Sequence, residues 1–138
     1  MSKKKLGTNP KDLLGIKKVP LNLVPAIGII YEADAMRDGG LKYGPYNWRK
    51  NKVIASIYIA AAMRHIMAWH DQREENALDS GVHHLGHARA CLNILLDAQR
   101  TGNLIDDRPE GGKAADLMRQ LERKNDHSKT IHNDSKRG

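Results

Sequence analysis

The sequence predicts an all-α fold, and three observations carry that prediction. Apolar residues recur at helical spacing in three long segments. Glycine or proline punctuates the ends of those segments, and no alternating stretch reaches useful strand length. A chain of 138 residues is expected to form one domain with a modest core. Phe is absent, so that core must rest on Leu, Ile, Val, Met and Ala.

Residues 1–20 read as a basic, extended arm. Lys3, Lys4, Lys5, Lys11, Lys17 and Lys18 are balanced there by Asp12 alone. Asn9-Pro10 and Val19-Pro20 push the residue before each proline away from helix. The net charge of +7 is therefore concentrated at the start of the chain. Such an arm attracts phosphate or nucleic acid. No aromatic residue interleaves with the lysines, so stacking on bases is not indicated, and nucleic acid is not the expected partner.

A helical domain is expected over 21–112. Its first helix is predicted to start at Pro25, a residue suited to a first helical turn, and to end at Gly39-Gly40, where glycine can form a left-handed cap. Residues 41–52 follow as a basic loop with Tyr43, Tyr46 and Trp48 around a Gly44-Pro45 turn. The second helix is predicted over 53–72. Its first half is apolar almost all round, as a central helix should be, and too short to span a bilayer. Residues 73–82 form a polar loop in which Asp79 and Ser80 are N-cap candidates. The third helix is predicted over 81–100, with Leu85, Ala88, Leu92, Leu95 and Leu96 as its core stripe and Gly102 as its cap. In 113–138 a short amphipathic helix over 113–123 precedes a polar, disordered tail. A fourth helix of the bundle must come from that segment or from a partner subunit.

Cys91 is the one cysteine, so no intrachain disulfide forms. That suits a reducing compartment, and no apolar stretch of signal-peptide type follows Met1 directly, so a cytoplasmic location is expected.

Glu32 is the first candidate for chemistry. Its helical neighbours Gly28, Ile29, Ala35 and Met36 are small or apolar, so its carboxylate should project from the buried stripe. A buried carboxylate must be neutralised, paired or metal-bound. The rival reading is a structural ion pair, for example with Arg64. Asp34 and Asp38 fall on the other side and read as solvated charges. His65, His83, His84 and His87 lie near two helix ends, and either His83 and His87 at i,i+4 or His84 and His87 at i,i+3 can share one metal. Asp79, Glu74 and Glu75 stand just upstream as oxygen donors. Mg²⁺ prefers such oxygens, and Mn²⁺ also accepts imidazole. The plain alternative is that these histidines bridge helices by hydrogen bonds. Arg64 follows a long uncharged run and needs an anionic partner, either a carboxylate or a substrate phosphate. In the basic loop Lys42 and Arg49 can hold phosphates, Tyr43 and Trp48 can stack on a base, and Asn47 can read its edge. The alternative there is a packed loop anchored by Trp48. His70-Asp71 spells the dipeptide of HD-type phosphohydrolases, but their first histidine lies well upstream, and here only His65 precedes it.

Several short motifs fit one family. Asn9-Pro10-Lys11-Asp12, Lys42-Tyr43-Gly44, Tyr46-Asn47-Trp48-Arg49, Arg64-His65, Ser80-Gly81, His84-Leu85, His87-Ala88 and Leu104-Ile105-Asp106-Asp107-Arg108-Pro109 together resemble the phage dATP/dGTP diphosphohydrolases of MazZ type. These are a branch of the MazG-like all-α pyrophosphohydrolases, and the resemblance covers about residues 7–109. It implies a helical bundle completed as a homodimer or homotetramer, with Mg²⁺ or Mn²⁺. It also implies cleavage of a purine deoxynucleoside triphosphate to the monophosphate and pyrophosphate. MazG-like enzymes carry Glu-x-x-Glu on one helix and Glu-x-x-Asp on the next. Here Ala35 follows Glu32 at i+3, and the second motif reads His84-x-x-His87. The expected metal set is therefore Glu32, Glu75, Asp79, His84 and His87, with Glu32, Asp79 and His84 catalytic. Lys42, Tyr43, Asn47, Trp48, Arg49, Arg64 and His65 are expected to hold substrate. The competing class is a small basic DNA-binding protein without catalysis, working through its lysine arm.

Overall fold

The computed structural model describes residues 9–134, and within them the chain is mostly helical, as the periodicity predicts. Lys3, Lys4 and Lys5 lie outside the described residues. The predicted extended arm is interrupted by α1, Pro10–Gly15. Asn9 caps it by accepting from the Lys11 amide, and Pro10 supplies the pre-set φ of a first turn. A 3₁₀ turn, Leu21–Leu23, leads into α2, Ala26–Tyr43.

Helix α2 does not stop at Gly39-Gly40. It runs through both and ends at Gly44, whose φ of 89° is the conformation the stop requires. Glycine weakens a helix interior by about 1 kcal/mol, a cost that packing overrides. The consequence is functional. Lys42 and Tyr43 belong to the last turn of a helix, and Lys42 reaches back to Asp38 at i+4. The predicted loop shrinks further because Asn47–Lys50 forms a short helix, α3.

Val53–Ile54 is a two-residue strand, β1, paired in parallel with β2, Leu104–Ile105. Helix α4, Ala55–His70, therefore starts two residues later than predicted. Val53 is fully buried under this pairing and is the largest side chain so enclosed among the described residues. Helix α5, His84–Thr101, ends at Gly102 in the left-handed conformation, as predicted. Its N-cap is His83, not Asp79 or Ser80, because the His83 ring accepts from the Leu85 amide at 3.0 Å.

The central helix is α5, which packs against both α2 and α4. Helix α4 was expected in that place, but it leaves Ile57, Met63, Ile66 and Met67 exposed. The predicted leucine stripe of α5 is corrected too. Leu92 and Leu96 are exposed, and the buried positions are His84, Gly86, Ala88, Ala90 and Ala98. Small residues win because α2 comes close: a Cβ added at Gly86 would lie 2.6 Å from the Tyr31 carbonyl oxygen. Ala35, Val82 and Ala90 close this contact, with Met36 against them.

The segment after Asp106 forms a separate compact unit. Its helix α6, Ala114–Asp134, continues well past the predicted end at residue 123, and the last four residues lie outside the described part. Leu117, Met118 and Leu121 share the spacing of one apolar stripe.

Candidate active site

The 71–83 connection is built rather than loose. Ala77 and Val82 are buried, the Ala77 amide donates to the Val82 carbonyl, and Asn76 bridges to His83. Gly81, with φ 71°, makes the reversal. This arrangement delivers Glu74, Asp79 and Ser80 to the first turn of α5.

Three histidines meet there. His84 is 6% exposed. Its Nε2 lies 2.7 Å from Glu74 Oε1, and its Nδ1 lies 2.8 Å from the Nδ1 of His65 on α4. The His65 ring stacks on His87 with centroids 4.5 Å apart. His87 Nε2 in turn is 2.7 Å from Ser80 Oγ. Burial, then the His87 and His84 rings, push the His65 pKa down to about 4. Burial also lowers that of His87. Both rings are therefore neutral at pH 7. His83 stands apart, its ring against Tyr31 at 4.9 Å.

Beside His87 lies a charged group. Lys42 Nζ is 2.9 Å from Asp38 Oδ2 and 3.8 Å from Asp79 Oδ2. Asp38 is thus not a solvated charge; Asp34, which pairs with Arg37 on the surface, is. The Asp38 hydrogen bond raises the Lys42 pKa, and the Ser80 amide holds Asp79 below its ordinary value.

On the other side of the α2 terminus is a cavity of about 460 Å³. Tyr43, Tyr46, Asn47, Trp48 and Tyr58 give it an aromatic lining with one amide, and Met36 and Gly40 also line it. Tyr46 has φ 59°, a left-handed residue that turns the chain into α3. Tyr43 lines this cavity and follows Lys42 directly in the last turn of α2, so one helix end carries both the charged group and a cavity wall.

The structure brings together some of the expected residues and separates others. Tyr43, Asn47 and Trp48 line one cavity. Arg49 turns away and binds Asp97 with both arms, at 2.7 Å each. Arg64 is exposed on α4. The Glu32 side chain is 14% exposed and faces Arg89, not Arg64, at 3.9 Å. Glu75 is exposed. Among the described residues no three His, Cys, Asp or Glu side chains are placed to hold a metal together, so the expected five-residue ligand set is not assembled. His70 and Asp71 are exposed at the end of α4.

Sequence reasoning missed Arg89, Asp97 and Asn103, read Asp38 as a solvated charge and named Ser80 only as a cap and in a motif. The i,i+4 spacing of Asp38 and Lys42 was a signal for one of these; Arg89, Asp97 and Asn103 pair with distant parts of the chain.

The family model described as dATP/dGTP diphosphohydrolase, N-terminal, matches residues 8–108. The chain belongs to the dATP/dGTP diphosphohydrolase family. The match spans α1 to β2 and so includes the cavity, the histidine cluster and the Lys42 group. No curated protein and no solved structure matches the chain. The diphosphohydrolase is a nucleoside triphosphate pyrophosphohydrolase, a hydrolase of acid anhydrides, with dATP and dGTP as its substrate class. Among its described residues no helix is long and apolar enough to cross a membrane.

Proposed function

We propose that the enzyme cleaves dGTP, and also dATP, between the α and β phosphates, releasing the monophosphate and pyrophosphate. The observation that carries this reading is the junction at Tyr43. Tyr43 lines an aromatic cavity suited to a purine, and the adjacent Lys42 ammonium is held between two carboxylates. The ring wall can stack on a base, and Lys42 can offset phosphate charge.

Mg²⁺ is typically held by one or two carboxylates together with substrate phosphates. Asp38 and Asp79 fit that use, and Glu32 remains a candidate carboxylate on the same helix. A divalent ion bound there would supply Lewis-acid polarisation of the triphosphate. Ile27, Ile30, Ile57 and Met67 leave broad apolar faces on α2 and α4. A second copy of the chain is the proposed cover, giving a homodimer or homotetramer. The proposed setting is purine nucleotide metabolism in the cytoplasm of a phage-infected cell. There dGMP would feed synthesis of 2-aminoadenine nucleotide while competing dATP is depleted.

The test is product analysis. Purified protein with Mg²⁺ or Mn²⁺ should turn dGTP into dGMP and pyrophosphate. Primary release of dGDP and phosphate would overturn the cleavage position, and light scattering that gives one chain per particle would overturn the assembly.

A further inference from the structure

Trp48 is held in place by an unusual amount of wiring. Its carbonyl accepts from Asn103 Nδ2 at 2.8 Å, and the same amide donates to the Asn51 carbonyl at 2.6 Å. Its ring meets Tyr46 at 5.9 Å, tilted by 60°. The Arg49 guanidinium carbon lies 5.1 Å from its ring centroid. That guanidinium is itself fixed by the two-armed bond to Asp97 on α5. Behind the ring is a second, small cavity of about 70 Å³, bounded by Met36, Asn93, Ile94 and Asp97. Packing alone therefore leaves room for the indole to move.

We propose that Arg49 and Asp97 are positioning residues that clamp Trp48 as a wall of the base cavity, so that Arg49 serves the base through Trp48 and does not touch phosphate. This rests on the proposed reading of the cavity as the nucleotide base site. Exposed ion pairs contribute little to stability. A planar fork engaged at both nitrogens, however, fixes direction, and a cation over an indole face is attractive. The Arg49 hydrogen bond, chiefly, keeps the Asp97 pKa below its ordinary value, so the pair stays charged through neutral pH. The inference also assigns Asp97, on a different helix, to substrate recognition.

The experiment uses the full chain with Mg²⁺ and three measurements. These are kcat and KM for dGTP, inhibition by inorganic triphosphate (which has phosphates but no base), and Trp48 emission in a Trp69→Phe background. Arg49→Lys keeps the charge and loses the fork; Asp97→Asn keeps the shape and loses the charge. Each should raise the KM for dGTP about fivefold to tenfold, at the lower end of the range of lost base stacking, with kcat changed less than about twofold. Inhibition by triphosphate should be unchanged, Trp48 emission should shift, and the double variant should be no worse than the worse single. If Arg49→Lys weakens triphosphate inhibition while Asp97→Asn leaves KM unaltered, Arg49 is a phosphate ligand and the proposal fails. An unchanged KM in both variants also overturns it. Should Asp97→Asn fail to fold, Arg49→Lys still decides. Trp48→Ala separates the two readings. If it leaves KM unaltered in an enzyme that hydrolyses dGTP, the cavity is not the base site. If it raises KM and the clamp variants do not, only the clamp is wrong.

Discussion

The Nδ1 atoms of His65 and His84 lie 2.8 Å apart, so one ring must donate to the other. A carboxylate accepts, so the Nε2–H of His84 donates to Glu74. The chain Glu74–His84–His65 thus orients a neutral imidazole that stacks on His87.

That cluster sets a pH dependence. The unfolded chain protonates His65 near pH 6.5, and the folded one near 4, because burial and two neighbouring rings oppose the charge. Between those values the unfolded state binds more protons, so stability falls as pH drops from about 6.5 to about 4 and this contribution levels off below. His87 acts in the same direction. Thermal melts across this window should show the decline in wild type and a shallower one in His65→Asn. Equal slopes would count against the cluster as the cause.

Gly86 sits where no side chain fits. Gly86→Ala places a methyl 2.6 Å from the Tyr31 carbonyl oxygen, which is backbone and cannot swing aside. Helices α2 and α5 must separate, and the expected loss is about 1–3 kcal/mol. Chemical denaturation should give a lower midpoint at unchanged slope.

Asn103 ties β2 to the α3 segment through two donated bonds from one amide group. Asn103→Ala leaves the Trp48 and Asn51 carbonyls without that donor and should cost about 1–2 kcal/mol. Hydrogen exchange should quicken around 47–54 before it does so in the middle of α5.

Asp38 and Asp79 flank Lys42. Asp38→Asn or Asp79→Asn should lower kcat/KM for dGTP by about a hundredfold, with a raised Mg²⁺ requirement in steady-state assays. Losing activity in neither variant would remove the carboxylate pair from the proposed site.

Helices were legible because apolar spacing and caps act locally. Gly102 could be read as a terminator from its neighbours alone, and the α5 segment from its repeat. Gly39-Gly40 misled because glycine permits a left-handed turn without demanding one, and the decision lay with Gly44 and with packing against α5. The leucine stripe misled for a related reason. Burial on α5 follows how closely α2 approaches, and that closeness selects Gly86, Ala88 and Ala90 over Leu92 and Leu96.

The candidate site divides the same way. The sequence by itself determined the fold class, the family motifs and which residue types could do the chemistry, because apolar spacing, caps and short motifs are local; that Lys42 stands one turn from Asp38 followed only once α2 was seen to run past Gly39-Gly40. The tertiary structure alone decided the partners: Arg49 with Asp97, Glu32 with Arg89, His84 with Glu74 and His65. Such pairs join residues with no fixed spacing. Their geometry exists only once α2 and α4 have packed on α5, and charge and hydrogen-bonding capacity then find partners according to distance in space rather than order in the chain.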